Sequence, residues 1–274
     1  MSAMKKRSNT QTLAAAFAAV LGLAAAPAQA NLVWELTIGG VVIFTVADNT
    51  INDTNAALNV IAVDPAAVNA ALLLAGSEYQ IVSAGANSNC GPNIANCVGQ
   101  LGISNINSSA IITNSGSGGQ LDIEVTQDNW FVPTGNPRTL TNAPAATLSF
   151  LTAPGDFMDS TGYNNPNNAH FSLAGAFFTP TSVFTPGNGL CTVNVQFVST
   201  CSDLTTRPGI NESNPYSLTQ VMNFNLGVST LIRTISYSDA STKFAPAVVP
   251  EPASLLLLGV GLSALGFARR RKNP

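Results

Sequence analysis

Hydrophobic and polar residues alternate in short runs through the middle of this chain. In QLDIEVT, every second residue from Leu121 to Val125 is apolar, and LVWELTI at 32–38 alternates in the same way before two glycines and VVIFTV. Alternation with a period of two predicts strands that bury one face and leave the other in water. Similar runs are EYQIVSA, TLSFL, HFSLAGAFF, TVNVQFV, SLTQVMNFNL and TLIRTISYS.

Clusters of Gly, Pro, Asn and Ser separate these runs, as in NSGSGGQ and FTPGNGL. Many short strands joined by turn-forming residues are typical of all-β domains. We therefore predict a mainly β fold, with an antiparallel β-sandwich-like body over residues 31–247. The glycine-rich segment 115–119 precedes a strand rather than a helix, which indicates a turn and not a phosphate-binding loop.

One segment departs from the strand pattern. DPAAVNAALLLAGS has Asp64 as an N-cap, Pro65 at the first helical position and Gly76 as a stop. These are the residues that begin and end helices. We predict a single short helix over 65–75, and a strand followed by a loop is the alternative.

The N-terminal thirty residues have the three parts of a secretory signal peptide. A basic cluster at 5–7 is followed by an apolar run at 13–26, and Ala28 and Ala30 form a small-x-small cleavage site. We predict a signal helix over 1–30, export through the Sec translocon and a mature chain that starts near Asn31. A membrane anchor and a core helix are the alternatives.

Export permits disulfide bonds, and the chain has four cysteines. The spacing favours two local pairs, Cys90 with Cys97 and Cys191 with Cys201. Four cysteines allow three connectivities, so the other two stay open. The cysteine spacings and the presence of one histidine argue against a zinc site, and we expect no metal and no cofactor.

Charge is distributed unevenly along the chain. Between 31 and 247 there are four basic residues and thirteen acidic residues, which gives the body a net charge of −9. The basic residues there are Arg138, Arg207, Arg233 and Lys243. An acidic body with scattered cations is a poor nucleic-acid binder, and we predict that no nucleic acid is bound.

Several residues of the body are of types that carry catalysis. His170 is the one available imidazole base. Two pairs of carboxylates lie close in sequence, Asp156 with Asp159 and Asp122 with Glu124. The second pair would share a strand face, and an exposed strand face explains it as well as a glycosidase pair does. We predict no catalytic residue, and therefore no enzyme.

The segment DNTINDTN at 48–55 concentrates oxygen ligands in a loop. Calcium binds such oxygens, but the EF-hand spacing is absent. An Asn- and Asp-rich turn after a strand is the alternative.

The C-terminus has a Pro-Glu-Pro triplet, an apolar run at 253–268 and a basic end. A helix of that length would span about 24 Å, slightly less than the apolar part of a bilayer. The basic end would stay in the cytoplasm, and the prolines would keep the triplet extended outside the membrane. The residues are Pro250, Glu251 and Pro252 in the triplet and Arg269, Arg270, Arg271 and Lys272 at the end.

This tail resembles the PEP-CTERM sorting signal of Gram-negative bacteria. The resemblance covers residues 248–274 and rests on VPEPAS, LLLLGVGLSALGFA and RRRK in that order. It implies recognition by an exosortase, transient anchoring in the inner membrane by a transmembrane helix, and passage to the cell surface or the extracellular matrix. It also implies a link to exopolysaccharide and biofilm.

The sequence therefore predicts an exported, non-enzymatic protein with a structural or adhesive role, and an exosortase and exopolysaccharide as its expected partners. A carbohydrate-binding module is the first alternative, with Trp34, Trp130, Phe131 and Tyr163 as stacking residues. A secreted hydrolase is the second, and it would need a cleft that joins His170 to the acidic pairs.

Overall fold

The computed structural model describes residues 31–90, 97–98, 103–116, 118–131, 136–149, 156–185, 189–195, 198–211, 214–228 and 232–246. The predicted signal peptide at 1–30 and the predicted sorting tail at 248–274 lie outside these residues. Within the described part, no helix is long and apolar enough to cross a membrane.

Sixteen strands and one helix make up the described fold. They are β1 (Leu32–Ile38), β2 (Val41–Ala47), β3 (Val60–Ala62), α1 (Pro65–Leu74), β4 (Tyr79–Ser88), β5 (Cys97–Val98), β6 (Ser104–Asn114), β7 (Gly119–Phe131), β8 (Arg138–Ser149), β9 (Phe157–Asn165), β10 (Phe177–Phe178), β11 (Ser182–Phe184), β12 (Cys191–Val195), β13 (Val198–Ser202), β14 (Thr205–Ile210), β15 (Tyr216–Leu226) and β16 (Arg233–Pro246).

The strands form two sheets. The first has the order β10-β9-β15-β7-β1-β2, with β11 paired to β9 and β5 paired to β7. The second has the order β12-β13-β8-β16-β6-β4-β3, with β14 paired to β8. Apart from the parallel β5–β7 pair, the ladders between the described strands are antiparallel. The mainly β, sandwich-like fold is therefore confirmed.

Alternate side chains of both sheets meet in one core. Strand β6 buries every second residue along its length, which is the pattern of a strand with one face inward. Trp34 and Trp130 are fully buried, as are the rings of Tyr216 and Phe244. Aromatic side chains of this size contribute much of the apolar area that a sandwich removes from water.

The helix is confirmed and ends one residue before the predicted limit. The Asp64 carboxylate accepts the N–H of Ala66, and Ala75 is the C-cap. Gly76 follows with φ +70°, a left-handed conformation that glycine adopts readily. Val68 and Leu72 face the core.

Two strand predictions need correction. HFSLAGAFF forms turns over most of its length, with Phe171 at φ +50°, and pairs only at Phe177–Phe178. TVNVQFV was predicted as one strand, but residues 192–195 belong to β12 and Val198 begins the antiparallel strand β13, while residues 196–197 lie outside the described part. Alternation alone does not distinguish a turn, such as that around Phe171, from a strand when the turn residues are themselves apolar.

The disulfide between Cys191 and Cys201 is confirmed. The two residues are direct partners on β12 and β13, so the bond closes this hairpin. Cys90 is also disulfide-bonded. The side chain of Cys97 lies outside the described residues, and its pairing with Cys90 stays a prediction.

Five polar side chains form a hydrogen-bonded group inside the sandwich, which we call the interior polar network. Ser108 donates to Gln220 at 2.6 Å, and Gln220 donates to the Asn142 side-chain oxygen at 3.2 Å. Asn142 donates in turn to Ser160 at 3.1 Å, and its oxygen also accepts from Thr242. The network joins strands of both sheets, so it fixes their relative position as well as satisfying buried polar groups.

A buried ion pair lies near the start of β16. Arg233 contacts the Asp156 carboxylate at 3.0 Å, and both side chains are almost completely buried. Asp156 also accepts the N–H of Gly227, and Arg233 donates to Asn114. These additional hydrogen bonds offset part of the cost of burying the two charges, although Arg233 Nε has no hydrogen-bond partner among the described residues.

The first and last described strands leave the sandwich at the same end. Strand β1 begins at Leu32, opposite Gln127 on β7. Three residues further along β7, Trp130 is opposite Tyr216, whose ring lies 5.2 Å from that of Phe244 near the end of β16. The turn between β6 and β7 and the Arg233–Asp156 pair lie at the opposite end.

Candidate functional site

Four carboxylates gather on the outward side of the first sheet, and we call this surface the outer acidic face. It comprises Glu35, Asp122, Glu124 and Asp159. Glu35 on β1 is directly opposite Glu124 on β7. Two residues before Glu124 on β7 is Asp122, which pairs with Asn223 of β15. Asn223 pairs on its other side with Asp159 of β9. Residues two apart on a strand share a face, so four adjacent strands contribute to one surface.

The hydrogen bonds of the outer acidic face come from neutral groups. Thr37 and Gln120 donate to Asp122, at 3.1 Å and 2.9 Å. Asn223 donates to Asp159, and Thr45 donates to Glu35. The two ion pairs found among the described residues involve Asp128 and Asp156 and none of these four acids.

Burial and like charge raise the proton affinity of this surface. The pKa of Glu124 rises to about 7, first because the side chain is partly buried and then because Glu35 and Asp122 repel its charge. Burial also raises the pKa of Glu35, which the Thr45 hydrogen bond partly opposes. The pKa of Asp159 is raised by burial too, against the hydrogen bond from Asn223. The face therefore takes up protons near neutral pH.

Aromatic residues border the outer acidic face at the β9–β10 edge. The rings of Tyr163 and Phe178 are 6.2 Å apart at 44°, and Phe178 is half exposed. The Arg207 guanidinium lies 5.3 Å from the Phe178 ring and 5.4 Å from that of Phe177. This edge offers apolar ring surface close to hydrogen-bonding groups of the sheet.

The predicted catalytic groups are separated in the fold. His170 contacts Asp128 at 2.9 Å, Asp156 is buried against Arg233, and Asp159 lies on the outer face. His170 and Asp156 lie at opposite ends of the sandwich, so among the described residues these groups do not form the arrangement that the hydrolase alternative requires. Asp122 and Glu124 do share a face, as their spacing predicted.

The four aromatic residues proposed to stack on sugars differ in their exposure. Trp34 and Trp130 are completely buried, so they belong to the core and cannot present a ring to a sugar. Phe131 and Tyr163 are partly exposed. Of the four aromatic residues predicted to stack, Tyr163 is the one that lies beside another exposed ring.

The turn at 48–55 folds around its own carboxylates. Asp53 accepts the N–H groups of Asn49, Asn55 and Ala62, which accounts for both its oxygens. In the described part of the chain, no group of three or more His, Cys, Asp or Glu side chains is arranged to hold a metal ion.

Sequence reasoning missed part of the outer acidic face. Glu35 lies on a strand whose alternation was recognised, but its partner on β7 is almost ninety residues away. Asp159 was considered only together with Asp156. The signal for both would have been strand order, which a single sequence does not reveal.

The predicted processing residues lie outside the described part of the chain. They are the signal cleavage residues Ala28 and Ala30, the triplet Pro250, Glu251 and Pro252, and the basic end Arg269, Arg270, Arg271 and Lys272. Their assigned roles stay predictions.

Comparison with known proteins identifies the tail. The family model of the PEP-CTERM protein-sorting motif matches residues 248–272, so the chain carries this motif at its C-terminus. The motif marks an exported protein that is directed to the cell surface, and it implies processing by an exosortase. No curated protein matches the chain.

Two solved structures show distant similarity to the chain. One is titled "Structural basis for the promiscuous specificity of the carbohydrate-binding modules from the beta-sandwich super family"; the identity is 10%, the match covers 78% of this chain and 85% of that one, and the TM-score is 0.31. The other is the enzymatically active domain of tailspike protein 4 of bacteriophage CBA120, at 10% identity, 62% and 19% coverage and a TM-score of 0.26.

Proposed function

We propose that this exported protein is a non-enzymatic component of the cell surface or extracellular matrix of a Gram-negative bacterium. An exosortase would process it after transient anchoring in the inner membrane, and its body would act structurally or adhesively among exopolysaccharide. The observation that carries this proposal is the PEP-CTERM sorting motif at residues 248–272.

The physical properties of the tail support this order of events. A signal peptide at 1–30 would bring the chain to the Sec translocon. The apolar run at 253–268 would then stop in the bilayer with the basic end on the cytoplasmic side. The Pro-Glu-Pro triplet would be extended and accessible at the outer surface of that membrane.

The body has features that suit an extracellular protein. A disulfide closes the β12–β13 hairpin, and disulfides persist in oxidising compartments. The acids of the outer acidic face lie on a sheet surface rather than in a cleft with a histidine. These features support binding or packing as its role more than acyl or glycosyl transfer.

The test is substitution of Glu251 by Ala in the native host, followed by intact-mass measurement of the protein from the medium, the cell surface and the inner membrane. We expect the wild-type mass to lack residues 1–30 and those after about 250. Glu251→Ala should accumulate in the inner membrane with its tail intact.

The matched control is Asp203→Ala, which removes an acid from a turn of the body and should be processed normally. Normal release of the Glu251→Ala protein would contradict recognition of the triplet. A released wild-type protein that retained Arg269–Lys272 would contradict tail processing altogether.

A second candidate function is carbohydrate binding. The observation that favours it is the Tyr163–Phe178 ring pair, which lies on the same outward face of β9 as Asp159, four residues along the strand. Sugar rings stack on aromatic faces, while carboxylates and amides bind their hydroxyls. Tyr163→Ala should abolish binding to exopolysaccharide from the host, whereas Tyr163→Phe should retain most of it. Equal binding by both variants would contradict this site.

A further inference from the structure

Three residues with side-chain oxygens, Asp48, Asn59 and Gln127, are linked by hydrogen bonds at the end of the sandwich where β1 begins. Asp48 directly follows β2, and its N–H donates to the carbonyl oxygen of Leu32 at 3.0 Å. Leu32 is opposite Gln127 on β7. One oxygen of the Asp48 carboxylate, Oδ2, accepts the N–H of Asn59 at 2.7 Å. The backbone thus brings Asp48, Asn59 and Gln127 together from three separate parts of the chain.

Asn59 is held firmly in this position. It is 4% exposed and has φ +61°, a left-handed conformation that asparagine tolerates better than most residues. Its Nδ2 lies 3.4 Å from the carbonyl oxygen of Cys90, and its Oδ1 accepts Gln127 Nε2 at 3.2 Å. These two contacts direct the Asn59 side-chain oxygen toward the Gln127 amide.

Two buried oxygens of this group lack a hydrogen bond. They are Oδ1 of Asp48 and Oε1 of Gln127, and the Gln127 side chain is completely buried. Neither the Val60 N–H nor the Asn49 side chain forms a regular hydrogen bond to Asp48 Oδ1. Buried acceptors without donors are costly unless a water or a cation completes them.

The negative charge of Asp48 and Asp53 also favours a bound cation at this site. The Asp53 carboxylate adds negative charge close to Asp48, since it accepts the N–H of the next residue, Asn49, at 2.9 Å. Both oxygens of Asp53 already accept backbone N–H groups, so Asp53 supports the loop and supplies negative potential rather than a free ligand. Of the four basic residues in the body, Arg138 and Arg233 are buried in other contacts and Arg207 lies against Phe177 and Phe178. The fourth, Lys243, is an exposed residue of β16.

We propose that Asp48, Asn59 and Gln127 form a calcium site, with Asp48 Oδ1, Gln127 Oε1 and Asn59 Oδ1 as protein ligands and water in the remaining positions. Calcium accepts six to eight oxygen ligands in irregular geometry, whereas magnesium requires a near-ideal octahedron. A single carboxylate ligand predicts weak binding, with a Kd of about 0.1–1 mM, as in extracellular modules. The proposal does not depend on exosortase processing or on sugar binding.

The test uses the full-length chain, purified in detergent, stripped with a chelator and unfolded by heat with CaCl2 or MgCl2 at constant ionic strength. At 10 mM CaCl2 the midpoint should rise by about 3–10 °C for a body of this size and the Kd above. MgCl2 should produce less than a third of that rise. Asp48→Asn should remove the calcium effect.

The matched control is Asp64→Asn. The Asp64 carboxylate also accepts one backbone N–H, at the start of α1, and asparagine is an equally good cap, so this variant should keep the full calcium response. A wild-type midpoint that calcium does not change, an equal response to magnesium, or an Asp48→Asn protein that still responds would each overturn the proposal.

A second variant keeps the proposal testable if Asp48→Asn fails to fold. Gln127→Glu retains the shape of the side chain and adds a second negative ligand, so calcium affinity should rise about tenfold while the calcium-free midpoint falls. A calcium response in Gln127→Glu equal to that of the wild type would show that Gln127 does not face the ion.

Discussion

Strand β15 carries two different polar regions on its two sides. Inward, Gln220 belongs to the interior polar network, where neutral donors and acceptors are matched between both sheets. Outward, Asn223 separates Asp122 from Asp159 on the outer acidic face, where acids lie beside acids. The network stabilises the fold because each buried group finds a partner, whereas the acids repel one another.

This difference distinguishes polar groups that stabilise the fold from polar groups that are available to contact a partner. A polar group that stabilises a fold is satisfied in place, and the interior polar network meets that condition. On the outer acidic face three of the four acids also accept hydrogen bonds, but burial, and then the like charges of Glu35 and Asp122, raise the pKa of Glu124 and oppose its ionised form. Perturbed carboxylates that do not stabilise the fold are candidates for contact with a partner. Substitutions on the two sides should therefore change stability in opposite directions.

The largest effect is expected from Asn142→Ala in the interior polar network. The change would remove the buried partner of the Gln220 amide nitrogen and of the Ser160 and Thr242 hydroxyls, at a cost of about 2–4 kcal/mol. Urea unfolding would measure the loss, which should be similar from pH 5 to pH 8. Asn87→Ala, on an exposed part of β4, should change stability by less than about 0.5 kcal/mol. Equal losses in the two variants would contradict the role of the network.

A smaller loss is expected from Gly162→Ala. A Cβ atom there would lie 2.9 Å from side-chain atoms of Thr242 and 3.2 Å from that of Asn142. Crowding of this kind costs about 1–3 kcal/mol. Gly189→Ala, where a Cβ would meet no atom within 4 Å, is the control for thermal unfolding. A fully stable Gly162→Ala protein would show that the two sheets can separate slightly at this point.

The smallest effect, with the opposite sign, is expected from Glu124→Gln. Because the folded pKa of Glu124 is about 7 and the usual value is 4.5, the folded state binds more protons between these values. Its stabilising contribution is therefore complete below about pH 4.5 and is lost as the pH rises through 7. Since glutamine resembles the protonated acid, the variant should be more stable than the wild type at pH 8.

Thermal unfolding at pH 5 and pH 8 would measure this effect. The difference between the variant and the wild type should be about 1 kcal/mol at pH 8, because partial exposure screens the charges, and it should be close to zero at pH 5. A Glu124→Gln protein that was less stable than the wild type at pH 8 would place the outer acidic face among the structural elements.

The sequence predicted the features that depend on local pattern. Alternation identified β1 and β7 and placed Asp122 and Glu124 on one face, and the cap residues identified α1. The interior polar network was not foreseen because Asn142 and Gln220 occupy inward positions with side chains that the pattern assigns to solvent. The Arg233–Asp156 pair joins residues 77 apart, and only the strand order brings them together.

The common exit of β1 and β16 has a geometric consequence. If the tail holds the chain in a membrane as proposed, the end of the sandwich where β1 begins and β16 ends lies nearest the membrane. The β6–β7 turn is then the part of the body farthest from it. The broad sheet surfaces, including the outer acidic face, then point sideways toward neighbouring molecules. Two such bodies that approached each other through these surfaces would bring like charges together, and this repulsion would weaken as the acids take up protons at lower pH.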